Sequence, residues 1–304
     1  MPLLADTGFD IIDLENYSAK RFLFPQYGKY ICFAEGVFNQ KGDLFFISQM
    51  STSTIYVIRY PELRIEKAIP TGGNWSKVIA LSPDEKLIAV SNWLSDDISI
   101  IDAQTFKRIR LLRFQAQTPR GLAFTPDNKY LYAVYFGSGH IIKISKQTWQ
   151  AEHILLTGGT NRDIVIDAEG LYAYISNMAY ELVYVLDLQG DKILKVIKVG
   201  HKPNTIRLTP DNRYLYVSCR GPNNPENYEL PSLEDGNIYV IDTDTLRIVE
   251  IIPGGNQPTG LGISPDGKLL AFSNFQDNNV EVYAIKLDPY ESLFYNPPGY
   301  VPEN

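Results

Sequence analysis

One short turn recurs along this chain at a nearly constant interval. Ser82-Pro83-Asp84, Thr125-Pro126-Asp127, Thr209-Pro210-Asp211 and Ser264-Pro265-Asp266 share a pattern, and looser copies stand at Asn39-Gln40-Lys41-Gly42 and Asp167-Ala168-Glu169-Gly170. The central positions 40, 83, 126, 168, 210 and 265 are separated by 43, 43, 42, 42 and 55 residues. A second marker is the end of an alternating run such as Ile98-Ser99-Ile100-Ile101-Asp102. Its copies end at Asp13, Arg59, Asp102, Ser145, Asp187, Asp242 and Ile285, spaced by 46, 43, 43, 42, 55 and 43 residues. Two independent markers that keep one period and share one long exception establish a structural repeat, which limits the chain to solenoid, propeller or array folds.

Each unit carries four short β-like runs, clearest between positions 119 and 156. Gly121-Leu122-Ala123-Phe124 is strand A, followed by a turn at Pro126-Asp127-Asn128, where proline pre-sets φ and the Asp and Asn side chains close local hydrogen bonds. Tyr130–Val134 is strand B, His140–Ile144 strand C and Glu152–Leu156 strand D, and Gly158-Gly159 leads onward, as do Gly72-Gly73 and Gly254-Gly255. No segment sustains a 3.6-residue period, so helices should be rare. Four-stranded units of this length predict an all-β β-propeller, because ring packing buries both faces of sheets too small to do so alone. Strands A and B occur six times and strand C seven times, counting Phe9–Asp13. The expectation is therefore seven blades with one incomplete. The organisation expected is a single domain over 1–304: a partial blade of strands C and D at 9–25, six repeats over 30–285, and an extended tail at 286–304 with a last strand D near 291–295.

Hydrophobic residues make up 44% and charged residues 21% of the 304, values of an ordered globular chain, and the 20 Tyr suit half-exposed strands. The net charge is −7 without a basic stripe, which argues against nucleic acid or anionic lipid as partner. No apolar run has the length of a membrane helix, and Met1–Asp6 lacks the charged-then-apolar layout of an export signal. Cys32 and Cys219 are expected to be free, buried thiols. A monomer is expected.

Leu215-Tyr216-Val217-Ser218, Ile238-Tyr239-Val240-Ile241-Asp242 and the stretch from Gln257 to Lys268, QPTGLGISPDGK, resemble YVTN-repeat β-propeller proteins over positions 9 to 285. That resemblance implies seven blades, a bacterial or archaeal source, and a periplasmic or cell-surface setting in which several such proteins are surface antigens. The absence of an export signal in this chain departs from the family.

In a propeller, strand A is innermost, and residues just before A and just after B converge at one mouth of the channel. The position entering strand A holds Glu35, Lys77, Arg120, Arg162, Asn204 and Thr259. Three cations at equivalent inner positions could clamp a carboxylate or phosphate; the alternative is salt bridges to carboxylates between blades, with Glu35 the obvious candidate. The position leaving strand B holds Gln49-Met50, Asn92-Trp93, Tyr135-Phe136, Asn177-Met178, Cys219-Arg220 and Asn274-Phe275. These amides either contact a ligand or tie down the B–C turn, and the latter is the stronger reading. The 55-residue spacing places a 13-residue insertion between about Arg220 and Gly236, either a rim flap over the mouth or an inert excursion.

Of the three histidines, His140 and His153 fall on outer strands, and only His201 lies on the candidate face. HExxH, GxSxG, P-loop and EF-hand patterns are missing, so no metal, cofactor or catalytic residue is expected. The ligand-binding candidates are Glu35, Gln49, Lys77, Asn92, Trp93, Arg120, Arg162, Asn177, His201, Asn204, Arg220 and Asn274. The expected function is non-enzymatic binding of a protein, glycan or small anion. The alternative is a lactonase-type hydrolase using Glu35, Arg120, Arg162 and His201, as in some similar propellers, and a weaker reading is a structural module of a larger envelope protein.

Overall fold

The computed structural model describes residues 7–24, 32–228, 230–285 and 294–295, and the chain falls into two compact units, Met1–Gly158 and Gly159–Asn304. The first unit opens with a two-stranded sheet, β1 (Gly8–Ile12) and β2 (Ala19–Leu23). Three four-stranded antiparallel blades follow. Blade 1 is β3 (Phe33–Phe38), β4 (Leu44–Gln49), β5 (Thr54–Arg59) and β6 (Arg64–Pro70); blade 2 is β7 (Ser76–Leu81), β8 (Leu87–Asn92), β9 (Asp97–Asp102) and β10 (Lys107–Arg113); blade 3 is β11 (Pro119–Phe124), β12 (Tyr130–Tyr135), β13 (His140–Ser145) and β14 (Ala151–Leu156). The second unit has blade 4, β15 (Asn161–Ile166), β16 (Tyr172–Asn177), β17 (Leu182–Asp187) and β18 (Lys192–Lys198), and blade 5, β19 (Pro203–Leu208), β20 (Tyr214–Cys219), β21 (Asn237–Asp242) and β22 (Arg247–Pro253). Blade 6 is β23 (Pro258–Ile263), β24 (Leu269–Asn274), β25 (Asn279–Ile285) and β26 (Phe294–Tyr295). No helix occurs among the described residues.

Among the described residues there are six four-stranded blades, not the seven expected from the copies of strand C. The seventh copy is β1, which among the described residues pairs with β2 alone, while β26 closes blade 6 as its strand D through Ala284↔Tyr295 and Ile285↔Phe294. No A and B strands accompany β1 and β2 among the described residues. Apart from 294–295, the expected tail lies outside those residues.

Within each unit the cores form between neighbouring blades. Ile55, Val57, Ile79, Ile88 and Val90 join blades 1 and 2, and Ala89, Ile100, Leu122, Leu131 and Ala133 join blades 2 and 3. In the second unit, Val183, Val185, Ile206, Leu215 and Val217 join blades 4 and 5, and Tyr216, Val240, Leu261, Leu270 and Phe272 join blades 5 and 6. Within each unit, adjacent blades thus bury facing sides on one another, which is the packing a repeated sheet provides. Phe9 and Phe24 attach the two-stranded sheet to blade 1, with Phe24 stacked 4.7 Å from Phe33 and Phe9 edge-on 5.2 Å from Phe45.

The recurring turn is a hydrogen-bonded device. Ser82, Thr125, Thr209 and Ser264 each donate to the Asp two residues on, at 2.5–2.6 Å. The same hydroxyl oxygens accept from the backbone of Leu87, Tyr130, Tyr214 and Leu269, at the start of strand B. Glu85, Asn128, Asn212 and Gly267 fill the left-handed turn position. Burial would raise the Asp84 carboxyl, but bonds from Ser82, Asn128 and the Lys86 backbone, with the Lys146 charge, hold it well below the usual range. Burial likewise pushes the Asp127 carboxyl up, but the Thr125 and Lys129 bonds outweigh it and leave the group below its usual value; the Ser264 bond lowers Asp266. A carboxyl with a depressed folded pKa stabilises the fold above its unfolded value, about 3.9 for Asp, and that contribution is lost as pH falls toward the folded value. The melting temperature should therefore hold from pH 7 to 5 and fall steadily below about pH 4. Asp84→Asn should show a shallower fall than the parent in scanning calorimetry, and parallel profiles for the two would contradict this account.

Candidate functional site

Every strand A slips against its strand B near its start: between Phe33 and Gly36, Ser76 and Ile79, Pro119 and Leu122, Asn161 and Asp163, Pro203 and Ile206, and Pro258 and Leu261. Glu35, Lys77, Arg120, Arg162, Asn204 and Thr259 sit in these slips. A bulge of this kind re-aims a side chain that a regular ladder would point at a neighbouring blade. A serine on strand B holds the bulge: Ser48, Ser91, Ser176, Ser218 and Ser273 accept from the N–H of Glu35, Val78, Asp163, Thr205 and Gly260 at 3.0–3.1 Å. The hydroxyl then reaches the next blade, where Ser48 donates to the Lys77 carbonyl at 2.6 Å, Ser176 to Asn204 at 2.7 Å and Ser218 to Thr259 at 3.1 Å. Blade 3 lacks this device because Val134 takes the serine position.

The amides that end strand B face inward to the protein. Asn92 is fully buried, accepts from Ser76 at 2.7 Å, and donates to Asp97 Oδ1 at 2.7 Å and Ser99 at 2.8 Å. Asn177 donates to Asn161 at 2.8 Å, and its Oδ1 accepts from the Thr160 and Tyr180 backbone. Asn274 bonds Asn279 at 2.9 Å and Glu281 at 2.6 Å, and Gln49 Oε1 accepts from the Thr52 backbone at 2.7 Å. A methyl group on Gly73 would stand 2.2 Å from the Asn92 amide, and one on Gly255 would stand 2.2 Å from Asp277, so the loop glycines make room for these networks.

In the first unit the bulge residues of three successive blades meet. Arg120, only 4% exposed, reaches past blade 2 to Glu35, with Nη2 3.2 Å from Oε1. Trp93 stands beside both cations: Lys77 Nζ is 3.8 Å from the ring centre, and the Arg120 guanidinium carbon 5.8 Å. Trp93 also packs on Phe136 at 4.7 Å. The cluster therefore offers two cations, one carboxylate and an aromatic shelf, with Glu35, Lys77, Trp93 and Phe136 half-buried. The salt bridge from Arg120 to Glu35 is the alternative named for the cations from sequence, and it holds for Arg120.

The second unit carries Arg162 and Thr259, both half-buried, and Asn204, fully buried. Neither side-chain atom of Asn204 has a hydrogen-bond partner among the described residues. His201 is exposed and bonded to Glu181, which also pairs with Lys198 at 2.7 Å. The insertion after Arg220 folds onto the loop entering blade 6. Ser232 N–H donates to Asn256 Oδ1 at 2.8 Å, Asn256 Nδ2 donates to the Ser232 carbonyl at 3.0 Å, and Gly236 N–H donates to Gly255 at 2.9 Å. Both cysteines are free; Cys219 is buried, which pushes its thiol up to about 12, and Cys32 is half-buried. No cluster of His, Cys, Asp and Glu that could hold a metal occurs among the described residues. The serine staples were not singled out from sequence; their visible signal was a serine recurring just before the strand-end amide.

Residues 37–245 match the model of the YNCE-like beta-propeller family. The chain belongs to that family. The YNCE-like chain is 37% identical over 292 residues to Antigen Lp49 of Leptospira interrogans, covering 93% of itself and 64% of Lp49, so it spans less than two thirds of that relative. It is 23% identical over 254 residues to the 6-phosphogluconolactonase of Formosa agariphila, covering 73% and 70% of the two chains. Among solved structures it superposes on hydrazine synthase of Kuenenia stuttgartiensis with a TM-score of 0.71 at 20% identity, covering 82% of this chain and 75% of the other, a likeness of fold alone. No helix among the described residues of this YNCE-like propeller is long and apolar enough to cross a membrane.

Proposed function

We propose that this propeller is a binding protein whose ligand is a small anion or glycan carrying a carboxylate or phosphate, held at the cluster of Lys77, Arg120, Trp93 and Glu35. The observation that carries the reading is the convergence of two cations on one aromatic ring, with Lys77 3.8 Å from the Trp93 centre and Arg120 buried beside it. Cations aimed by bulges from successive blades can fork onto an oxyanion, while Trp93 and Phe136 present an apolar face to a sugar ring. The setting we propose is the periplasm or the cell surface; the relative that bears the name antigen supports exposure to a host. A lactonase reading draws on the relative named 6-phosphogluconolactonase. Its histidine candidate is exposed and already held by Glu181, which favours binding over catalysis.

The test is a titration with glucuronate and glucose 6-phosphate, read by tryptophan fluorescence. The parent should respond saturably. Lys77→Ala should fold normally and bind about tenfold more weakly, the worth of about 1.4 kcal/mol for one partly exposed cation. A ligand that binds both proteins equally would remove the cluster from the site. Hydrolysis of a lactone panel by the parent would move the assignment to an enzyme.

A further inference from the structure

We propose a second anion site within the unit Gly159–Asn304, built on Lys202, where the chain enters blade 5, and Arg220, which follows the second strand of that blade, that takes a small oxyanion, carboxylate or phosphate. Arg220 follows strand β20 directly, and its backbone N–H donates to the Lys202 carbonyl at 3.2 Å, which fixes the two cationic residues side by side. The Arg220 side chain turns onto Phe275, whose ring centre is 5.9 Å from the guanidinium carbon, and one of its terminal nitrogens donates to Gln257 Oε1. Its Nε is buried and has no hydrogen-bond partner among the described residues. No described carboxylate lies within salt-bridge distance of either Arg220 or Lys202.

A guanidinium enclosed in this way normally faces a carboxylate, because taking a cation out of water without a countercharge is costly. Here it faces a neutral amide, an aromatic ring and a second cation. Burial pulls the Arg220 group below its usual value; burial and then the Arg220 charge do the same to Lys202. The enclosure is assembled by the insertion particular to this repeat. Gln257 Nε2 donates to the Tyr228 carbonyl at 3.4 Å, so the insertion is tied to the residue that holds Arg220, and Asn256 next to it anchors Ser232 and Asp235. Close by in sequence, the fully buried amide of Asn204 also lacks partners for Oδ1 and Nδ2. A buried Arg220 Nε without a partner and two cations that face no carboxylate among the described residues match the fork a carboxylate or phosphate would fill.

Thermal shift in the Lys77→Ala background separates this site from the cluster of the first unit. Inorganic phosphate and sodium glucuronate are titrated at ionic strength fixed with sodium chloride, and the stronger of the two names the ligand class. At least one should raise the melting temperature saturably. Arg220→Gln and Lys202→Gln should each weaken that response at least tenfold while melting no lower than the background without anion, since each removes an uncompensated charge. No saturable shift with either anion, or a shift untouched by both substitutions, would overturn the proposal. So would an anion-free melting temperature lowered by several degrees in Lys202→Gln, the variant that decides the matter if Arg220→Gln does not fold.

Discussion

Replacing Asn92 by leucine is expected to cost about 3–5 kcal/mol of stability, with no cavity because leucine keeps the branched shape and is the larger side chain. Asn92 is fully enclosed, and three polar side chains depend on it: Ser76, Asp97 and Ser99. Asp97 bears most of the loss. Its side chain is 0% exposed, and without Asn92 its remaining described side-chain partner is Arg113, at 3.2 Å, on a side chain that is itself 68% exposed. A buried carboxylate deprived of its best donor loses far more than one average hydrogen bond. Ser99 in turn donates to the Thr71 carbonyl at 2.9 Å, so the damage extends into the loop entering blade 2. Urea unfolding should show a lower midpoint at an unchanged slope, and a melting temperature down by roughly 10 °C for a chain of this size. The same experiment separates two roles for the amide: a residue that served only to touch ligand would lose binding and keep its stability within about 0.5 kcal/mol.

The fold was legible because each repeat spells out its own turn chemistry. The Ser/Thr-Pro-Asp turns show in the sequence since the side chains that close them lie within five residues of one another, and local hydrogen bonds leave local patterns. The Ser-Asn and Ser-Gln pairs at the end of strand B were equally visible, but their meaning was not. The serine acts on a carbonyl of the next blade, 28 to 41 residues away in the bonds from Ser48, Ser176 and Ser218, and no spacing rule reports such a bond. Blade number was misjudged because strands C and D at the start of the chain were counted as an incomplete seventh blade, whereas β1 and β2 form a sheet of two beside six four-stranded blades among the described residues. For the site, the inner position of each repeat was readable, since bulge residues recur with the period. The pairing of Arg120 with Glu35, 85 positions apart, was foreseeable only as one option among several. Burial decided the rest: the sequence does not distinguish Arg220, enclosed beneath its insertion, from the exposed His201 on the adjacent loop.

The cluster of the first unit makes an expectation whose sign is unusual. Glu35→Gln should tighten anion binding about tenfold, while Arg120→Gln should weaken it about a hundredfold. Glu35 occupies the Arg120 guanidinium at 3.2 Å and is itself 31% exposed, so it stands where a ligand oxyanion would compete for the same donors. Two unit charges at this separation interact by about 5 kcal/mol at the effective dielectric of a protein surface, and solvent at the exposed end of Glu35 reduces that to a fraction. Removing the carboxylate frees the guanidinium and lifts a repulsion against the incoming anion. Removing the guanidinium takes away a charged hydrogen bond, worth about 1.5–3 kcal/mol, and leaves Glu35 facing the ligand. The double variant should recover part of the Arg120→Gln loss, since the two residues share a partner and their effects cannot add. Isothermal titration of the four proteins with glucuronate and glucose 6-phosphate measures this cycle directly. Weaker binding in Glu35→Gln would show that the carboxylate orients Arg120 rather than competing for it, and loss of a lactone turnover present in the parent would give Glu35 the role of an acid or base in place of an internal competitor.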